Sequence, residues 1–170
     1  MRITRRHLAT LPAVMWLGLG TVPAMALDLP TGPVVLSVTG KVGQANVGAR
    51  ADFDMAMLAK LPQHSYTMAT PWYPEPKTFT GPLLRDVLAA AKARGTLLRA
   101  VALNEYKIDI PAGDVEQYDM IVARLLNDKP MPIREKGPLF IVYPFDSNAG
   151  LRTERYYSRC AWQLRQLEVQ

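Results

Sequence analysis

The chain has 170 residues, with 20 Lys+Arg against 15 Asp+Glu and a formal net charge of +5. Arg2, Arg5 and Arg6 stand before the first acid, so a chain lacking its first 26 residues keeps 17 basic against 15 acidic side chains. A balance that close to neutral gives no argument for nucleic-acid binding, and Cys160, the single cysteine, leaves no partner for an internal disulfide.

The first 26 or so residues read as a cleavable signal peptide. A basic start is followed by an apolar run from Leu8 to about Val22 and then by Ala24-Met25-Ala26, a small-x-small cleavage pattern. Thr4-Arg5-Arg6-His7-Leu8 resembles the twin-arginine export motif, which carries proteins already folded. These features predict a periplasmic protein. No later segment is apolar enough to span a bilayer. About 144 residues remain from Leu27 to Gln170, enough for a single domain with its own core.

In chain order, Val34 to Val42 is β-branched and ends near glycines, which predicts a first strand. Phe53, Met55, Leu58 and Leu61 share one helical face, with Asp52 as the expected N-cap and Pro62 beyond the end. Tyr66 to Thr70 reads as a strand, and the prolines of Pro71-Trp72-Tyr73-Pro74-Glu75-Pro76 predict a loop, with His64 in a polar loop earlier. Lys77 to Gly81 is extended and leads into a helix from Pro82 to about Arg94, closed by Gly95. Leu97–Leu103 and Tyr106–Ile110 read as a hairpin turning at Asn104-Glu105, and Asp114 as the cap of a short helical turn. Ile121 to Leu126 and Leu139 to Tyr143 are apolar strands, Gly150 to Ser158 has helical character, and Trp162 alternates with Leu164 in a closing strand. Strands outnumber scattered single helices, so the expected class is α+β with a mixed, mostly antiparallel sheet.

Common catalytic constellations are missing from the sequence. His64 is the one histidine of the mature part and has no nucleophile motif beside it, which leaves neither a triad nor a zinc ligand set to build. The glycines are dispersed, and none precedes a Lys-Ser/Thr pair, so no phosphate loop is present. Polar residues do stand where apolar strands run out: Asn104, Tyr106, Arg134, Lys136, Asp146, Arg152, Arg155 and Arg159. Trp72 is either a packing anchor or the aromatic wall of a pocket, and Trp162 reads as core.

The order of several segments is similar to the sulfite-oxidase-type molybdopterin-binding domain family in its small periplasmic form. They are Val35-Leu36-Ser37-Val38-Thr39-Gly40, the run Phe79-Thr80-Gly81-Pro82-Leu83-Leu84-Arg85-Asp86-Val87-Leu88, and Ala102-Leu103-Asn104-Glu105-Tyr106 leading to Ile110-Pro111. Lys129-Pro130-Met131, Arg134 to Leu139, Tyr143-Pro144 and Trp162-Gln163-Leu164 follow in the same order. The resemblance implies an α+β fold with a pterin cleft beside the sheet, and an oxidoreductase ancestry. It also implies Thr70, Trp72, Asn104, Tyr106, Arg134 and Lys136 as cofactor-cleft residues. Catalytic members ligate molybdenum through a cysteine thiolate at the strand end where this sequence carries Thr70, and a threonine hydroxyl lacks the soft, readily ionised sulfur. Two readings follow. Either the cleft, with no cofactor, binds a small anionic ligand or a membrane-anchored periplasmic partner without catalysis, or molybdopterin is held with unusual metal ligation. A third is an accessory subunit of an electron-transfer complex. Cys160 reads as a small buried hydrophobe.

Overall fold

A computed structural model describes residues 26–170. Residues 1–25, and with them the signal-peptide expectation, lie outside the described residues.

Strand β1 (Val34–Gly40) has Leu36 and Val38 fully buried between half-exposed neighbours, the period of two expected of a strand with one face on a core. It ends at Gly40, where φ is +83° and an added Cβ would meet the Val169 carbonyl oxygen at 2.1 Å, so handedness and close approach both require glycine. β2 (Ala51–Asp54) returns antiparallel and is buried throughout. Its two carboxylates are satisfied. Asp52 accepts from the Ser37 hydroxyl at 2.6 Å and from Arg50 Nε at 2.8 Å. Asp54 accepts from the amides of Thr31 and Gly32 at 2.7 and 2.8 Å, and from Met57 N at 2.8 Å as the N-cap of α1 (Met55–Lys60). The cap is thus Asp54 and not Asp52, which Ser37 and Arg50 hold inside the strand.

β3 (Gln63–Thr70) and β4 (Tyr73–Pro82) form a hairpin whose tip is Pro71-Trp72. The prolines do not make a loop as the sequence suggests. The register advances two residues on β3, from Met68 to Thr70, while it advances four on β4, from Lys77 to Tyr73. Pro74 and Pro76 fall in that exposed bulge, where no ladder N–H is required. His64 lies in β3 opposite Gly81, not in a loop. The following helix, α2 (Leu84–Ala90), is shorter than expected: Pro82 belongs to β4, and the chain turns left-handed at Lys92 (φ 46°). Gly95 is not its cap. Its hydrogen atom faces the C-terminus, where a Cβ would sit 2.2 Å from the Gln170 carbonyl oxygen.

β5 (Leu97–Ala102) and β6 (Lys107–Pro111) form the expected hairpin, followed by α3 (Ala112–Gln117). Asp114 lies within α3 and not at its cap, which is Pro111. The single strand expected over Ile121–Leu126 divides into β7 (Ile121–Ala123) and β8 (Leu125–Leu126). At the break Arg124 N donates to Thr80 O at 2.9 Å, and the two pieces pair with different strands. β9 (Lys129–Pro130) returns through Asn127 and Asp128, both at positive φ, the geometry of a tight two-residue hairpin. A 3-10 turn at Ile133–Glu135, then β10 (Phe140–Val142), α4 (Glu154–Tyr157) and β11 (Leu164–Val169) complete the chain.

The strands make a five-stranded sheet ordered β2-β1-β11-β5-β6, a four-stranded sheet β3-β4-β8-β9 and the pair β10-β7. Pairing is antiparallel except between β1 and β11. The described residues therefore form a mixed, strand-dominated fold with four short helices and mostly antiparallel sheets. One hydrophobic cluster joins all three sheets through Leu36, Phe53, Phe79, Phe140, Tyr143 and Leu164. Among the described residues no helix is long and apolar enough to cross a membrane.

The three backbone amides on Asp54 hold its carboxyl down at about 2, from an ordinary 3.8. A depressed carboxyl stabilises the fold above its unfolded pKa and loses that contribution as pH falls through the folded one. Asp54→Ala is expected to lower stability at neutral pH and to flatten the loss of stability between about pH 4 and pH 2, read by urea denaturation across that range. An acid limb as steep as that of the natural chain would contradict the assignment.

Candidate functional site

The β3–β4 hairpin carries Trp72 at its tip and lays the indole against the edge of the core. Its ring centroid lies 5.1 Å from Phe140, 5.9 Å from Tyr157, 6.1 Å from Trp162 and 6.2 Å from Phe145. Three of these four contacts are edge-to-face, the favoured aromatic geometry. Trp162 is not the core residue that its alternation with Leu164 suggested; it is 37% exposed. Gln163 between them has φ 52°, which breaks the strand period. Phe140, bridged to Trp162 across the backbone, fills the core in its place.

Two clefts share Trp72 in their walls. The first, about 700 Å³, is lined by Trp72, Tyr73, Lys77, Lys129, Arg134 and Lys136, with Glu135 as the one carboxylate. Lys77 comes from β4, Lys129 from β9, and Arg134 and Lys136 from the 3-10 turn and its end. Among the described residues neither Lys77, Lys129 nor Lys136 has a carboxylate within 4 Å, whereas Arg134 Nε lies 3.8 Å from Glu135. Lys136 has φ 74°, a left-handed conformation uncommon for a side-chain-bearing residue. Its ammonium stands 4.8 Å from the centroid of Trp162 and 5.8 Å from that of Tyr73, a cation–π arrangement that offsets part of the backbone strain. The Tyr73 hydroxyl donates to the Glu135 carbonyl at 3.4 Å, and burial, aided by the Glu135 charge, pushes its pKa up. The phenol is thus a neutral donor at the edge of a cationic cleft.

The second cleft, about 470 Å³, is lined by Trp72, Asn104, Tyr106, Glu154, Tyr157, Ser158, Cys160 and Trp162 with Pro71, Ala102 and Ala161, and by no lysine or arginine. Its Asn104-Tyr106 wall is held by Asn104 Oδ1 accepting from Tyr106 N at 3.2 Å, by Glu105 at φ 67°, and by Arg165 Nη2 donating to both Glu105 oxygens at 2.6 and 2.7 Å. Cys160 is buried, its Sγ reaching the Tyr156 carbonyl at 3.5 Å. Burial pushes the thiol pKa up, so it stays protonated.

The residues grouped in the sequence as one cleft are therefore divided. Arg134 and Lys136 line the first cleft, Asn104 and Tyr106 the second, and Trp72 both. Thr70 lines neither; it is 9% exposed, and its Oγ1 has no hydrogen-bond partner among the described residues. Lys77, Lys129, Glu154 and Tyr157 had no sequence signal of their own as site residues. Of the remaining cations, Arg159 is a core contact: its Nη1 and the Tyr143 hydroxyl each donate to Asp114 Oδ2 at 2.6 Å. Arg152 pairs with Asp146 at 2.7 Å, and Arg155 lies 5.9 Å from the centroid of Tyr156.

The cofactor implied by the resemblance needs a thiolate beside its metal and cations beside its phosphate. The cations lie in the first cleft, and the only thiol, held protonated, in the second. Thr70 offers a neutral, enclosed hydroxyl facing neither. Among the described residues no group of three or more His, Cys, Asp or Glu side chains converges on a metal position. These residues do not fit molybdopterin. No family model matches the chain, and no curated protein matches its sequence.

An enclosed hydroxyl without a partner costs about 1 kcal/mol or more. Thr70→Val keeps the shape, removes that cost, and is expected to raise the thermal midpoint by a few degrees. A lowered midpoint would show that the hydroxyl has a partner in solution.

Proposed function

We propose that this chain is an exported periplasmic binding module, built on a sulfite-oxidase-type molybdopterin-binding fold, whose first cleft takes a small anionic ligand without catalysing a reaction on it. The observation that carries the reading is the convergence of Lys77, Lys129, Arg134 and Lys136 against Glu135 alone, over the rings of Trp72 and Tyr73. Three ammonium groups with no carboxylate within 4 Å, joined by the Arg134 guanidinium beside Glu135, at the rim of a concave, partly apolar surface favour phosphate or carboxylate groups, which they bind by charge-assisted hydrogen bonds. The segment resemblance and the leader motifs support the fold family and the compartment. The acidic surface of a membrane-anchored periplasmic protein would use the same cations. A molybdopterin-dependent oxidoreductase fits less well, because the thiol and the cations face different clefts.

Arg134 is exposed, and Lys136 occupies a backbone conformation that glycine adopts more easily. Arg134→Ala and Lys136→Gly therefore remove charge without removing core packing. With pyrophosphate as the probe, isothermal titration calorimetry is expected to give saturable binding that weakens roughly two- to five-fold for each cation lost and weakens again with added salt. Equal affinity in the natural chain and the double variant would overturn the reading.

A further inference from the structure

The second cleft differs in chemistry from the first. Four aromatic residues, Trp72, Tyr106, Tyr157 and Trp162, line it together with Glu154. Trp72 meets Tyr157 at an interplanar angle of 85° and Trp162 at 68°, so the rings stand as walls at steep angles and not as a flat stack. Glu154 is exposed in the first turn of α4, and among the described residues it has no cationic side chain within 4 Å. The cleft is therefore rich in π surface and carries one unpaired negative charge.

We propose that the second cleft is a binding site for a methylated organic ammonium ion, held by cation–π contact with Trp72, Tyr106, Tyr157 and Trp162 and by the charge of Glu154. The available hydrogen-bonding groups select this class over other cations. A primary ammonium has three N–H donors to satisfy, and a hard metal ion needs six or more oxygens. Acceptors are few here: Asn104 Oδ1 already takes the Tyr106 amide at 3.2 Å, and the exposed Glu154 carboxylate supplies charge to the cation as a whole. A quaternary ammonium has no N–H to satisfy and is attracted by aromatic faces. Its methyl groups suit the apolar remainder of the wall, Pro71, Ala102 and Ala161. The protein already places one of its own cations in this way, since Lys136, which lines only the first cleft, stands 4.8 Å from the Trp162 centroid. The site does not depend on anion binding in the first cleft.

The test compares choline with its neutral carbon isostere, in which a tert-butyl group replaces the trimethylammonium, by calorimetry on the chain from Leu27 to Gln170. Choline and tetramethylammonium are expected to bind saturably, choline roughly ten-fold more tightly than the isostere. Tyr106 is 56% exposed, so Tyr106→Leu leaves the core unchanged. That variant is expected to weaken choline several-fold while leaving the isostere unaffected, and Glu154→Gln is expected to act in the same direction. Thermal melts of both variants that match the natural chain will show that the fold is intact. Equal binding of choline and the isostere, or choline binding untouched by both substitutions, would overturn the proposal, as would no binding of choline at millimolar concentration. Pyrophosphate titration reports separately on the first cleft.

Discussion

The contact on which the site depends is the seat of Trp72 against Phe140. Phe140 is fully buried at the start of β10, where it also meets Phe79 of β4 at 5.9 Å and Trp162 at 6.0 Å. Each such ring pair contributes about 0.5–1.5 kcal/mol beyond simple burial. The cluster ties together the β3–β4 hairpin tip, the β10-β7 pair and the entry to β11. A two-residue tip has little freedom of its own, and with its indole held among four rings it stands as a fixed partition. Cations reach one side of that partition and aromatic rings with a carboxylate the other.

Buried polar contacts fix the walls that the rings do not reach. Asp114 in α3 accepts from Tyr143 and Arg159, both at 2.6 Å, in a setting where all three groups are buried or nearly so. Burial first, and then the bond to Asp114, push the Tyr143 phenol pKa far up, so it donates throughout the accessible pH range. Removing Arg159 or Asp114 would leave a buried charge without its partner, the costly way to break such a group. The triad anchors the segment after α4, and so the side of the second cleft that carries Glu154 and Tyr157. On the other side of Trp72, the left-handed Lys136 turns the chain so that its ammonium lies by Trp162. The two clefts thus share one aromatic partition but rest on different polar supports.

Much of the strand framework was readable because it follows from the period of two: Leu36 and Val38 in β1, and the hairpin turning at Asn104-Glu105, reflect local rules. The errors fall where tertiary contacts override local ones. Asp52 has a side chain suited to capping, but Ser37 and Arg50 claim it. Pro74 and Pro76 break strands in general, yet a bulge on β4 accommodates them. Trp162 alternates with Leu164 on paper, and one left-handed residue undoes the alternation. In the site, Trp72, Arg134 and Lys136 stood out as loop and strand-end residues, and the structure puts all three on a cleft wall. Asn104 and Tyr106 stand at strand ends in the same way, but only the fold shows that they line the second cleft and not the first. Lys77 and Lys129 come from strands far apart in sequence, and no spacing rule would have joined them.

The central claim is that Trp72 separates two independent clefts of opposite charge preference. Amide and indole chemical-shift mapping on the natural chain tests it directly, with pyrophosphate and tetramethylammonium added separately and then together. Pyrophosphate is expected to shift signals from Lys77 and from Lys129 to Lys136, and tetramethylammonium those from Ala102 to Tyr106 and from Glu154 to Trp162. The shifts should add when both probes are present. Apart from the shared Trp72 and the Trp162 ring that Lys136 meets, two probes that perturb the same residues, or that displace one another, would contradict the partition.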